Sequence, residues 1–414
     1  MNAVNVTPDP AAGALLEFLE GRAGAARGKQ AFLTPDVHNV PGMRASGTPK
    51  VALRMDGDDS WSVEIEEGRV GFFGSGSRTR IYGRPEVLEA IIKGSASGVE
   101  AFLKGDIKVR GNIAMSLQIE GLFASRKRSR RFPRPAVVRA RGVDTFFMEA
   151  GAGKPVVLLH GLGATNASML PPLWDLARDH RVLAPDLPGF GESGKPVRTY
   201  DFAFFAAWLR DFLDQVGVKK AVVVGNSLGG RIALEAGLTM PERIESMVLL
   251  CPSPAFLRGR QAVPIVKALR PEMALVPMLL GHAQVAQVAR SLFARPERLP
   301  DGWYDAFADE FLRVFRTPRG RVAFFSAARQ VYLEPARGDL GFWDRLPDMK
   351  VPALFVWGEK DWLVPSRFEH HVTAALPLAR SVVIEDCGHV PQYEFPERTN
   401  NLIREFIGAR SKAA

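Results

Sequence analysis

The run Val222-Val223-Val224-Gly225-Asn226-Ser227-Leu228-Gly229-Gly230-Arg231-Ile232-Ala233 limits what this chain can fold into more than any other. An apolar strand runs into Gly-x-Ser-x-Gly and then into a helix. The turn is too tight for side chains on both flanks, hence Gly225 and Gly229. Such a turn lifts Ser227 clear of the sheet at a helix N-terminus, where the helix dipole favours a developing anion. A strand that feeds a helix this way calls for a sheet whose strands end on one shared edge.

The rest of the second half supplies that sheet. Pro155–Leu159, Val182–Pro185, Ala221–Gly225, Met247–Cys251, Ala353–Trp357 and Val382–Ile384 are short apolar runs without alternation. Runs of that kind suit parallel strands covered on both faces. Helices such as Phe202–Gln215 and Arg231–Thr239 lie between them. The expected fold class is α/β, a doubly wound sheet.

A nucleophilic serine needs a general base, and the base needs an orienting acid. In chain order Ser, acid, His, the candidates are Ser227, Asp361 and His389. Asp361 follows one apolar strand and His389 the next, at carboxyl ends where α/β sheets place ligands. Glu359 and Asp386 are the fallback acids, and His370 and His371 fall on a helix exposed to solvent. An oxyanion hole needs backbone N–H donors. Leu228, next after the serine, and Leu162 in His160-Gly161-Leu162-Gly163 are assigned to it, with His160 a structural hydrogen-bonder. Two phosphate-loop look-alikes fail. Gly189 to Lys195 is followed by Pro196 where magnesium needs Ser or Thr, and Gly151-Ala152-Gly153-Lys154 precedes a strand instead of following one.

Composition narrows the class. The 414 residues are 46% hydrophobic and 24% charged, which excludes disordered, collagenous and coiled-coil chains. Two cysteines, Cys251 and Cys387, exclude a disulfide scaffold, and both are expected buried and reduced. Leu15-Leu16 is soon followed by Glu17 and Glu20, so no signal peptide is read, and no run reaches a membrane span. A cytoplasmic protein is the expectation. The net charge of +9 is concentrated between Ser125 and Val143, where eight arginines and lysines occur with no acid. This reads as an interdomain linker, or as a peripheral contact with an anionic membrane; aromatic interleaving for nucleic acid is missing.

The basic segment divides the chain into residues 1–124, a linker 125–135, and 136–414. Ahead of it, Val51–Met55, Trp61–Ile65, Arg69–Phe73 and Arg78–Tyr82 read as strands, with a turn at Asp56–Asp59. Pro85–Lys93, Val99–Leu103 and Asn112–Leu122 read as helices around a strand Asp106–Arg110: an α+β domain. The strand meander with Trp61, the helix Pro85–Lys93, and the passage Gly94-Ser95 through Phe102-Leu103-Lys104-Gly105-Asp106-Ile107-Lys108-Val109-Arg110-Gly111 resemble the SCP2 sterol-carrier domain. That resemblance implies a tunnel for a lipid ligand.

The second half resembles an α/β-hydrolase-fold serine hydrolase over roughly residues 137–410. The match takes in Asp186-Leu187-Pro188-Gly189-Phe190-Gly191-Glu192-Ser193 and Glu394-Phe395-Pro396-Glu397. Ser227 stands where dehalogenases and epoxide hydrolases of this fold carry Asp. The resemblance implies no metal or organic cofactor. It also implies a helical lid, about 253–347, in the apolar helices Val263–Leu269, Met273–Leu280, Val285–Phe293, Trp303–Phe315 and Arg321–Tyr332. Met273, Met278, Leu279, Leu280 and Phe293 are its acyl-pocket candidates.

The leading expectation is an esterase or lipase acting on a hydrophobic ester, with the first domain holding or delivering lipid. Two alternatives compete with it. One is a C–C bond hydrolase of the meta-cleavage-product type, whose nucleophile turn is similar, although Val390 stands where those enzymes have Trp. The other is a lipid-binding or transfer protein without catalysis.

Overall fold

A computed structural model describes residues 31–34, 51–55, 60–66, 69–74, 79–117, 120, 130–254, 280–300, 302–377 and 379–411. They divide into two compact units: Met1–Ser129 with Pro300–Asp309, and Arg130–Leu299 with Glu310–Ala414.

The first unit is a six-stranded antiparallel meander. Its strands β1 (Ala31–Thr34), β2 (Val51–Met55), β3 (Ser60–Glu66), β4 (Arg69–Gly74), β5 (Arg80–Gly83) and β6 (Ile107–Arg110) lie in sequence order. β1 adds an edge strand beyond the sequence expectation, and the expected turn Asp56–Asp59 lies outside the described residues. Helix α1 (Pro85–Lys93) starts at a proline and ends at Gly94, whose φ of 75° closes the cap. It buries Leu88, Ile91 and Ile92 at three- and four-residue spacing. Helix α2 (Gly98–Lys104) is capped by Ser97 Oγ, which accepts from Glu100 N–H.

Of the expected helix Asn112–Leu122, α-helix covers Ile113–Ser116 among the described residues, and residues 118, 119, 121 and 122 lie outside them. Glu120 sits in a turn. Its carboxylate accepts from Gly98 N–H at 2.7 Å, at the positive end of α2.

This unit also takes in Pro300–Asp309, from the stretch that the sequence reading gives to the lid. Trp303 stacks on Phe102 with ring centroids 5.9 Å apart. Asp309 accepts from Arg110 at 2.6 and 3.1 Å and from Gly111 N–H at 3.0 Å.

The second unit is an eight-stranded sheet. Its strands are β7 (Arg134–Ala140), β8 (Val143–Gly151), β9 (Lys154–Leu159), β10 (His180–Pro185), β11 (Ala221–Asn226), β12 (Ile244–Leu250), β13 (Ala353–Gly358) and β14 (Arg380–Ile384). The spatial order is β14-β13-β12-β11-β9-β10-β8-β7. Neighbours from β14 to β10 run parallel, while β8 is antiparallel to both β10 and β7. The six apolar runs each become a strand. β7 and β8 escape the apolar-run criterion because they alternate: Arg134, Pro135, Val137 and Arg139 of β7 are exposed. So Arg134 and Pro135, read as linker, are strand.

Helix α3 (Phe202–Gln215) begins at Asp201, whose carboxylate accepts from Phe204 N–H at 2.7 Å. It buries Phe205, Trp208 and Phe212 against the sheet. Helix α4 (Leu228–Thr239) is buried along ten residues, Arg231 among them. That guanidinium lies between the rings of Phe202 and Phe342 and pairs with Glu235 and Glu334. Between β12 and β13 come α5 (His282–Ser291), α6 (Gly302–Phe315) and α7 (Pro318–Leu333). The expected helix Val263–Leu269 and the pocket candidates Met273, Met278 and Leu279 lie outside the described residues. Among the described residues, no helix is long and apolar enough to cross a membrane.

Candidate active site

Ser227 sits between β11 and α4 with φ at 53°, a left-handed value that a serine adopts only under constraint. The flanking glycines are imposed by close approach. A Cβ on Gly225 would lie 2.4 Å from the Gly229 carbonyl oxygen, and one on Gly229 would lie 2.2 Å from that of Leu159. Arg231 N–H donates to the Ser227 carbonyl at 3.0 Å, so helical hydrogen bonding starts at the serine itself. The expectation of a strained strand–Ser–helix turn holds.

Asp361 and His389 are brought together. His389 Nδ1 and Asp361 Oδ2 are 2.7 Å apart, both residues buried. The other carboxylate oxygen accepts from Leu363 N–H and Val364 N–H, each at 2.9 Å, so the acid is fixed from two sides. The fallback acids are engaged elsewhere. Glu359 accepts from Asp386 N–H at 3.0 Å, which draws its carboxyl below the usual range. Asp386 pairs with Arg295 at 3.0 Å and Arg298 at 2.8 Å.

The loop after β9 reaches the serine. A Cβ on Gly161 would be 3.4 Å from both Ser227 Cβ and Asn226 Oδ1, which places this loop directly beside the serine. Leu162 is the next residue of that turn, closed by Ala164 N–H to Gly161 O at 3.2 Å. Leu228 opens α4, directly after the serine. His160 is the structural residue expected. Its Nε2 accepts from Leu187 N–H at 2.9 Å, which leaves Nδ1–H to donate to Gly161 O at 2.8 Å. Burial lowers this imidazole to about 4, partly offset by the Gly161 bond, so it is neutral. Asp186 is the mirror case. Burial raises it to about 7, against hydrogen bonds from Asn166 and Glu192 N–H.

Three features were not read from the sequence. Asn226 Nδ2 donates to Leu250 O at 3.0 Å and to His389 O at 3.2 Å, tying the residue beside the serine to the histidine loop. Glu394, buried, accepts from Gly388 N–H and Arg295 N–H, both at 2.7 Å, and His389 N–H donates to Leu292 O at 2.7 Å. These three bonds clamp the histidine loop to the segment that holds Phe293, itself buried. Finally, a Cβ on Gly163 would be 3.1 Å from the ring of Phe311 and 3.0 Å from that of Phe324. Aromatic side chains of α6 and α7 therefore lie on the loop beside the serine.

Cys251 and Cys387 are both free and buried, as expected. Cys251 Sγ, an Asp361 oxygen and a His389 nitrogen lie within 4.8 Å of one another. Such a set has the donor types of zinc. A metal taking Nδ1 there would displace the Asp361–His389 hydrogen bond, so the set fits that hydrogen bond better than a resident ion. Burial raises the Cys251 thiol well above its usual range, with the Asp361 charge adding to it.

Residues 154–396 match the model of the alpha/beta hydrolase fold, and residues 43–124 match that of the SCP-2 sterol transfer family. The chain is similar to a pimeloyl-[acyl-carrier protein] methyl ester esterase of Aeromonas salmonicida, at 31% identity over 62% of this chain and 97% of that protein. It is 26% identical to a 2-hydroxymuconate semialdehyde hydrolase of a Pseudomonas species, over 66% of this chain and 94% of that protein. The crystal structure of a bacterial membrane phospholipase A superposes with a TM-score of 0.57 at 24% identity, over 67% of this chain and 87% of that one.

Proposed function

The chain belongs to the alpha/beta hydrolase fold family, and from that premise we propose that it is a serine hydrolase cleaving a hydrophobic carboxylic ester through an acyl-enzyme. The observation that carries this reading is the buried Asp361–His389 pair at 2.7 Å, on the loop that Asn226 ties to the strained turn of Ser227.

In this mechanism Ser227 Oγ attacks the ester carbonyl carbon while His389 Nε2 takes its proton. Asp361 holds Nδ1–H, keeps the tautomer that leaves Nε2 basic, and stabilises the imidazolium that forms. The N–H groups of Leu162 and Leu228 receive the oxyanion, worth roughly 3–4 kcal/mol per donor in such sites. Collapse expels the alcohol, which takes the proton from His389. Water then repeats the sequence on the acyl-enzyme.

The hydrophobic substrate is supported by the SCP-2 match in residues 43–124 and by the apolar character of the lid stretch. Phe311 and Phe324 join Phe293, Met273, Met278 and Leu279 as candidates for the acyl side. The first domain holds a lipid, and the basic segment makes a peripheral contact with an anionic membrane from a cytoplasmic location. No cofactor enters this scheme.

The likeness to a 2-hydroxymuconate semialdehyde hydrolase favours the second reading, C–C bond hydrolysis on the same three residues. Against it, Val390 follows His389 where a Trp is expected in those enzymes.

The test is a p-nitrophenyl ester series beside a vinylogous 1,5-diketone, with wild type and Ser227→Ala. The variant is expected to lose ~10⁴–10⁶-fold in kcat on esters. Turnover of the diketone above the esters moves the assignment to C–C hydrolysis. Equal rates in both proteins, with no labelling by a fluorophosphonate, return the chain to non-catalytic lipid binding.

A further inference from the structure

The acid loop and the histidine loop both rest on one short stretch of chain, residues 291–298, which begins at the last residue of α5. On the acid side, Trp362 follows Asp361 directly, and its indole N–H donates to Ser291 O at 2.6 Å. On the histidine side, His389 N–H donates to Leu292 O at 2.7 Å. Glu394 accepts from Gly388 N–H with one carboxylate oxygen and from Arg295 N–H with the other, each at 2.7 Å. A Cβ on Gly388 would lie 2.3 Å from Leu292 O, so the two stretches cross at backbone contact.

Asp386 is a further point of attachment. Arg298 donates to its carbonyl at 3.0 Å and to its carboxylate at 2.8 Å, and Arg295 donates to the carboxylate at 3.0 Å. From the acid loop, Glu359 accepts from Asp386 N–H at 3.0 Å. Asp386 has a φ of 52°, a left-handed value that persists only where neighbours impose it. The turn that leads into Gly388 and His389 therefore depends on partners outside itself.

We propose that residues 291–298 form a strap that sets the Asp361–His389 geometry, with Trp362 and Arg298 as its positioning residues. The proposal rests on the reading of Ser227, His389 and Asp361 as the reacting groups. Asp361 follows β13 and His389 follows β14, so the two stand on separate loops. Their 2.7 Å bond joins side chains, and it orients the imidazole only if both loops hold still. The strap is bonded to both. A displacement of ~1 Å at reacting groups is enough to cost ~10²-fold in rate, even when its origin is remote.

The experiment uses the full chain. Trp362→Phe removes the indole N–H and keeps an aromatic ring, and Arg298→Ala removes the fork on Asp386. Trp362 is 60% exposed and Arg298 is exposed, so both variants are expected to fold, as their thermal melts will show. The control is Arg139→Ala, which loses an exposed ion pair with Asp144 at 3.0 Å. Ser227→Ala and Asp361→Asn are run beside them. The readouts are kcat and KM on one p-nitrophenyl ester, and the low-field proton resonance of the His389 Nδ1–H.

Each strap variant is expected to lower kcat by about 10–100-fold with KM changed by less than about twofold. The low-field resonance should broaden or move upfield in both, and the control should change neither readout. A strap variant that melts earlier but keeps wild-type kcat and resonance has lost structure only, and that overturns the positioning role. So does wild-type kcat in both strap variants while Ser227→Ala and Asp361→Asn lose activity. Activity kept by Ser227→Ala and Asp361→Asn overturns the reading of the reacting groups, and the strap with it.

Discussion

At the carboxyl ends of β11, β13 and β14 the groups proposed to react are held by backbone. Gly225 and Gly229 force the serine turn, Leu363 and Val364 N–H hold the Asp361 carboxylate, and Glu394 holds Gly388 N–H. At the β7–β8–β10 edge of the same sheet, Arg134 and Arg139 stand exposed on an ordinary strand, and Arg181 and Glu149 pair at 2.6 Å through half-exposed side chains. The first arrangement fixes atoms in one geometry, as a reaction needs. The second leaves long side chains adjustable in position, as a solvated edge allows. The two places should therefore respond oppositely to substitution: steeply in rate at the first, hardly at all in rate or stability at the second.

The largest break is expected at Asp361→Asn. It keeps the shape but supplies an amide to His389 Nδ1, and kcat should fall by about 10⁴-fold with little change in the melt. A loss under tenfold would move the acid elsewhere.

Next comes a pH effect on stability at His160. Its folded value of about 4 lies below the ordinary 6.5, so the unfolded chain binds the extra proton between them. The stabilisation by neutral His160 is complete above pH 6.5 and is lost as pH falls toward 4, by ~3 kcal/mol at ~1.4 kcal/mol per unit. Asp186 runs the other way. Its folded value is raised to about 7, so its penalty is complete above that pH and relieved on acidification. Urea unfolding of wild type and His160→Gln at pH 7 and pH 4.5 separates the two. The advantage of wild type over the variant should shrink on acidification, and a constant difference would mean the imidazole is not held neutral.

Asn226→Ala should cost ~1–3 kcal/mol by leaving the buried carbonyls of Leu250 and His389 without this donor. It should also lower kcat more than it raises KM, which steady-state kinetics on one ester will resolve. Smallest is Arg134→Ala, at under ~0.5 kcal/mol in urea with kcat unchanged. A cost like that of Asn226→Ala would erase the contrast between the two places.

What the sequence disclosed follows the same division. Strands β9 to β13 are legible because burial on both faces writes itself as an unbroken apolar run, while β14, at the sheet edge, is legible from the short run Val382–Ile384 despite its exposed positions. The serine turn is legible because close backbone approach writes itself as glycine. β7 and β8 are not: β7, an edge strand with a solvated face, spells out arginines and valines as a linker does, and β8 interrupts its apolar residues with Asp144, Thr145 and Glu149. Asn226 and Glu394 stand in legible motifs, but their bonds are not legible, because the partners are backbone groups far along the chain, His389 O and Arg295 N–H. Trp303 and Asp309 read as one amphipathic helix with Phe311, and nothing in that spacing tells that the first two pack on Phe102 and Arg110.

That last grouping bears on how the protein can be taken apart. The first unit is assembled from two stretches of chain that lie far apart in sequence. Genetic excision at the basic segment would leave the downstream product with Trp303 stripped of the Phe102 ring, and Asp309 stripped of Arg110. The upstream product would lack its own last piece. A cut at the basic segment is therefore expected to leave both products less stable than the intact chain.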